Sequence, residues 1–225
     1  RSSDLNTWGN EKPLCLYFWL NYTTFVTTSF HRSFYCFPLS VDKPKLPELD
    51  LAFAISATAL KAGDNLKKTK DIIKDIVGKY GINKMHYSLG TFGSKLNVII
   101  KFSRQVNSNA QFMRLVDSVR GVQRGSDLAK ALEESSAMFT EENGGRPNAK
   151  KILVVIIDNK SDSSGDDTED AAALVREAGI RVIPVGLDRA DRGELDKTTA
   201  VEEDVLTPPD SDTAQNIAED IDRKS

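Results

Sequence analysis

The sequence predicts an α/β fold: a doubly wound, mostly parallel sheet flanked by helices on both faces, Rossmann-like in form. Three observations carry that expectation. Leu51–Ser56 (LAFAIS) and Ile152–Ile157 (ILVVII) are short, continuous apolar runs, as expected of strands buried on both faces, and Ile180–Val185 (IRVIPV) reads as a further strand. Between them lie segments whose apolar residues recur at helical spacing. The two kinds of segment alternate along the chain, and such alternation builds a parallel sheet between two helical layers.

Taken in order, residues 1–40 are rich in aromatics and Thr, and Tyr22–Pro38 favours strand by composition. Val41–Glu48 (VDKPKLPE) has two prolines among alternating charges and reads as a linker. The expected organisation is therefore an irregular N-terminal extension with its linker over 1–48 and one α/β domain over 49–225. Cys15 and Cys36, the two cysteines of the chain, are candidates for a disulfide in an oxidising compartment. No His or Cys cluster accompanies them, which argues against zinc. The apolar run Leu14–Leu20 is too short to span a membrane. The chain starts at Arg1 without an initiator Met, as a processed chain or a fragment would.

After the strand Leu51–Ser56, Asp64 or Asn65 is expected to cap a helix with Leu66, Ile72, Ile73, Ile76, Val77 and Tyr80 on one face. His86–Phe92 and Asn97–Phe102 read as strands joined by a Gly93-Ser94-Lys95 hairpin. Asn109–Val119 is a weaker helix; Ser126–Phe139 is a clearer one, with Leu128, Ala131, Leu132, Met138 and Phe139 inward and Ser126 as its cap. The polar loop Asp158–Asp167 leads to a helix over Thr168–Ala178, with Ala171, Leu174, Val175 and Ala178 inward and Gly179 as its stop. Beyond Ile180–Val185 come a short helix at Glu194–Ala200, a short strand at Val205-Leu206, and a final helix bearing Ile217, Ala218 and Ile221 behind an Asp212/Gln215 capping box.

Composition narrows the function. Among the 225 residues the net charge is -3, so there is no global electrostatic case for nucleic acid. Lys67, Lys68, Lys70 and Lys74 read as the solvated face of a helix. The two histidines, His31 and His86, lie far apart with no nucleophile pattern, and no glycine loop shaped for phosphate is present, so an enzyme is not expected. In an open parallel sheet, ligands sit beyond the carboxyl ends of the strands, which directs attention to the loops after Ser56, near Gly125 and after Ile157.

Those loops read SATAL (Ser56–Leu60), RGSDLAKAL (Arg124–Leu132) and VVIIDNKSD (Val154–Asp162). In this order, and followed by IRVIPVGL, they resemble the von Willebrand factor type A family over about Leu49 to Ile221. The resemblance implies a divalent-cation site of the pattern Asp-x-Ser-x-Ser, then Thr, then Asp. Here the first loop has Ser56, Thr58 and Leu60, the second has Ser126, and the third keeps Asp158. Thr58, Ser126 and Asp158 are thus the surviving metal candidates, and Leu60 would place an apolar branch in the shell. Magnesium needs about six oxygens and nearby carboxylate charge. The expectation is a degenerate site with no cofactor, or at most a weak divalent cation.

Asp158–Asp170 holds six acidic residues, but not in an EF-hand pattern. Its acids suit the N-terminal end of the following helix. Asn21-Tyr22-Thr23 and Asn159-Lys160-Ser161 are glycosylation sequons. The resemblance, the sequons and the cysteine pair together suggest a secreted, extracellular adhesion module. Its expected partners are matrix proteins or a mineral-associated matrix, as in invertebrate skeletons. The alternative is an intracellular protein-docking scaffold of a larger assembly.

Overall fold

The computed structural model describes residues 48–61, 63–82, 85–103, 106–121, 124–201 and 204–207. The Cys15–Cys36 pairing, the Asn21 sequon, the linker over Val41–Pro47 and the final helix lie outside the described residues.

Strand β1 (Leu49–Ser56) lies at the centre of a five-stranded sheet with β2 (Met85–Phe92), β3 (Leu96–Ile100), β4 (Lys150–Ile157) and β5 (Ile180–Gly186), in the order β3-β2-β1-β4-β5. β1 pairs in parallel with β2 and β4, and β4 with β5; β3 returns antiparallel through the hairpin at Gly93. The helices are α1 (Asp64–Tyr80), α2 (Asn109–Ser118), α3 (Leu128–Ser135), α4 (Gly165–Glu177) and α5 (Arg192–Asp196). Strand order reverses at β1, so the crevice between the carboxyl ends of β1 and β4 is the topological switch point.

The two-residue period of the strands divides the core in two. Leu51, Phe53 and Ile55 of β1, with Ile152, Val154 and Ile156 of β4, pack against Ile73, Ile76 and Val77 of α1 and Phe112 and Val116 of α2. Ala52, Ala54, Leu153, Val155 and Ile157 face the other way, against Leu128 and Leu132 of α3, Ala172 and Val175 of α4 and Leu195 of α5. Runs buried on both faces therefore read as unbroken apolar sequence. Pro184 fits within β5 because, among the described residues, no full strand borders it on its outer side, where its carbonyl accepts from Leu206 N at 2.9 Å.

Several local expectations are corrected. The third helix begins at Leu128: Asp127 caps it by accepting from Lys130 N at 2.9 Å, while the Ser126 hydroxyl is buried and points at Ser56. Its last turn tightens to a 3-10 turn over Ser136–Phe139. α4 starts earlier than expected, at Gly165, because Ser164 Oγ accepts from Asp167 N and the acids Asp166 and Asp167 favour the helix N-terminus. Its buried stripe is Thr168, Ala171, Ala172 and Val175; Leu174 is 59% exposed and Ala178 is exposed as well. The residue before α1 is Gly63, with no side-chain cap from Asp64 or Asn65. The third strand runs Leu96–Ile100, the short helix Arg192–Asp196, and Leu206 contributes a single parallel bridge to Val185 rather than a strand. Lys70 is not solvated: its Nζ donates to Asp117 O at 2.7 Å, and burial, with the nearby Arg120, lowers its pKa.

A hydroxyl-lined candidate site at the strand ends

Each of the three loops singled out in the sequence reaches the switch point. Thr58 lies at the centre. Its Oγ1 donates to Asp158 Oδ1 at 2.6 Å, sharing its proton with Asn159 Oδ1 at 2.9 Å, and stands 2.6 Å from Ser56 Oγ. Ser56 Oγ in turn stands 3.2 Å from Ser126 Oγ and accepts from Thr58 N at 3.3 Å. Four oxygens from Ser56, Thr58, Ser126 and Asp158 thus form one hydrogen-bonded chain. It contains three hydroxyls and one carboxylate. Asn65 Nδ2 donates to the second oxygen of Asp158 at 3.3 Å, so the residue expected as a helix cap belongs to the site instead.

A second tier holds the first in place. Ser126 N donates to Asp162 Oδ2 at 2.6 Å, and Asp162 N returns a bond to Ser126 O at 2.8 Å. Ser161 Oγ donates to Ser126 O and accepts from Leu128 N, while Ser161 N donates to the buried Glu194 Oε2 at 3.0 Å. Gly121 lets the loop before α3 cross the β1–α1 turn: a Cβ there would fall 1.9 Å from Ala57 O. These supports combine residues from distant loops, and neither spacing nor periodicity could reveal them.

Leu60 departs from expectation. It is 2% exposed and packs in the core with Ala59, Phe53 and Val119, so it supplies no oxygen but places no apolar branch in the cleft. The cleft, about 400 Å³, has Thr58 and Asp158 at its base and Lys61, Asn65, Lys68 and Asp188 around it. Asp188 adopts φ 48°, a left-handed conformation that Asp tolerates better than most residues. Asn159 is half-buried, and the Nδ2 that a glycan would use donates to Lys160 O at 3.0 Å. Among the described residues no group of three His, Cys, Asp or Glu is arranged to hold a metal ion.

A larger groove, about 480 Å³, lies at the opposite end of the sheet beside Met85, Tyr87 and Phe112. It holds no convergent set of charged groups. Burial leaves the Tyr87 hydroxyl without a partner and raises its pKa beyond the normal phenol range.

The sheet order and the site's place at its switch point agree with the sequence profile of the von Willebrand factor type A domain, which matches residues 50–220. The chain belongs to the von Willebrand factor type A family. It is 24% identical to the mouse collagen alpha-4(VI) chain over 183 residues, covering 81% of this chain and 8% of that one. It is 25% identical to chicken matrilin-3 over 152 residues, 65% of this chain and 33% of the relative. The chain therefore spans a small part of the relatives it matches. Among solved structures, proximal thread matrix protein 1 of the mussel byssus superposes with a TM-score of 0.65 at 14% identity, over 79% of this chain and 47% of that one. Another structure of the byssus protein, with zinc in its MIDAS motif, gives the same TM-score at 16% identity. At these identities the structural likeness shows the fold. No helix among the described residues is long and apolar enough to cross a membrane.

Proposed function

We propose that this chain is a secreted, extracellular matrix-binding module of the von Willebrand factor type A family that docks protein partners without a metal ion. The observation that carries the metal-independent part is the donor set at the switch point. Ser56 stands where the family pattern has an acid, and Leu60 is turned into the core where the pattern has a second serine. Three hydroxyls and one carboxylate give a divalent cation too few oxygens and too little charge, since magnesium demands a near-octahedral set and gives up its water reluctantly. The oxygens that remain bond one another at 2.6 to 3.2 Å, so the network is satisfied as it stands.

The matrix role draws support from collagen VI and matrilin relatives, and the byssus protein is compatible with a mineral-associated or fibrous invertebrate matrix. The one carboxylate that meets a hydroxyl at the switch point, Asp158 against Thr58, is also held by Asn65, and we read this pair as part of a structural network rather than a catalytic one. The test is solid-phase binding of the full chain to immobilised matrix proteins, in EDTA and again in magnesium or manganese. Equal binding in both is expected; binding that requires the metal, or none at all, contradicts the proposal. Mass spectrometry of the natural protein checks secretion, with a Cys15–Cys36 disulfide and a glycan on Asn21 as the expected marks.

A further inference from the structure

Among the described residues one large apolar side chain is more than half exposed: Leu174 of α4, at 59%. A lone surface leucine needs no explanation. This one has a groove beside it. Ala178, also exposed, lies one helical turn further on, and its N donates to Leu174 O at 3.1 Å. Ala178 in turn forms part of the wall of a groove of about 420 Å³, with Ser136, Phe139, Thr140, Pro147 and Lys151. A projecting apolar side chain and a recess thus lie side by side on one face, joined at Ala178.

Charge divides between the two features. Acids flank the projection: Asp170 stands one turn before Leu174 and Glu177 three residues after it, both exposed. The groove carries the half-buried Lys151. None of these three side chains forms an ion pair among the described residues. Glu141 lines the same groove and disfavours a register that would bring a second acid against it.

A surface that carries both a projection and a recess for it is complementary to itself, and such a patch closes about a two-fold axis. We propose that this chain self-associates as a symmetric dimer through this face. Leu174 of each copy enters the groove of the other, and Glu177 of each meets the partner's Lys151. A contact centred on one leucine and one groove belongs with small interfaces, below about 1,200 Å² in total, so the association is weak and concentration-dependent. α4 leaves the carboxyl end of β4 and ends before the amino end of β5. Its last turn is therefore at the end of the sheet opposite Thr58 and Asp158, and dimerisation leaves both strand-end clefts open. Two linked copies engage a repetitive matrix with higher avidity and no new contact.

Sedimentation velocity of the full chain over a wide concentration range, in EDTA and a reducing agent, tests this. The reducing agent removes any dimer joined through Cys15 or Cys36. A reversible monomer–dimer equilibrium is expected, with Kd raised roughly ten-fold or more in Leu174→Asp. Ala178→Arg, which blocks the groove and leaves the leucine in place, is expected to weaken the dimer as well. Circular dichroism verifies that each surface variant is folded. Glu177→Lys and Lys151→Glu should each weaken the dimer, and the variant carrying both should recover it. A monomer at every concentration overturns the proposal, as does a dimer that Leu174→Asp and Ala178→Arg leave undiminished. An open series of larger species also overturns it, because a two-fold contact closes at two copies. Single charge variants that weaken the dimer without recovery in the double variant overturn the Glu177–Lys151 pairing.

Discussion

The two ends of the sheet each carry a polar cluster tied to β1, and they are built on opposite principles. At the amino end, the Asp50 carboxylate is fully buried and met by Arg146, whose backbone N and Nε donate at 2.7 and 2.8 Å and whose second guanidinium nitrogen also reaches Leu49 O. Charge is matched by charge, and nothing is left for a ligand. At the carboxyl end, hydroxyls of Ser56, Thr58 and Ser126 surround one half-exposed carboxylate, Asp158, beneath an open cleft. The first arrangement is a structural clamp between β1 and the loop before β4. The second meets its carboxylate with hydroxyls instead of a cation and stays accessible.

This contrast can be broken at the clamp with the largest effect. Arg146→Ala strands a buried carboxylate, and breaking such a pair costs about 3–5 kcal/mol. Urea unfolding is expected to show that loss, and binding by the folded fraction should be preserved. Gly121→Val at the other end is expected to cost about 1–3 kcal/mol, because its side chain would collide with Ala57 O and push the Ser126 loop away. Here stability and partner binding should fall together, which a combined urea and solid-phase assay would read.

Smaller changes sharpen the comparison. Thr58→Ala removes the hydroxyl that links Ser56, Asp158 and Asn159, leaving Asp158 with the longer bond from Asn65. A loss of about 1–2 kcal/mol is expected by thermal or urea unfolding. The smallest effect belongs to His86, 4.0 Å from Asp50. Burial, and then the positive charge of Arg146, lower its pKa from the ordinary value of 6.5. The folded state therefore binds this proton less readily than the unfolded chain. Stability from His86 is complete above about pH 6.5 and is lost as pH falls through the lower folded pKa. His86→Gln should flatten that part of the stability–pH curve slightly, since the ring is half-exposed.

The elements of the core were legible from pattern: ILVVII in β4 by its shortness and branched residues, and the stripe from Ile72 to Val77 in α1 by its helical period. Boundaries were less so. Asp127 rather than Ser126 caps α3, since the Ser126 hydroxyl is drawn to Ser56 across the sheet, a contact seventy residues away in sequence. Leu174 looked like core by hydropathy, yet the small Ala171 and Ala172 are what allow α4 to approach the sheet. The degenerate pattern of the site was visible in Ser56 and Leu60. The inward turn of Leu60, the Asn65 bond to Asp158 and the Ser161–Glu194 brace were not, because each depends on loops meeting in space.

On the proposed function, the hydroxyl chain at the switch point replaces a cation rather than awaiting one. Calorimetric titration of the full chain with magnesium, manganese and calcium tests it most directly, with Asp158→Ala as the comparison. No micromolar binding by the wild type is expected, and any millimolar calcium response should survive in Asp158→Ala as an effect of the acidic surface. Micromolar binding by the wild type that vanishes in Asp158→Ala would contradict it.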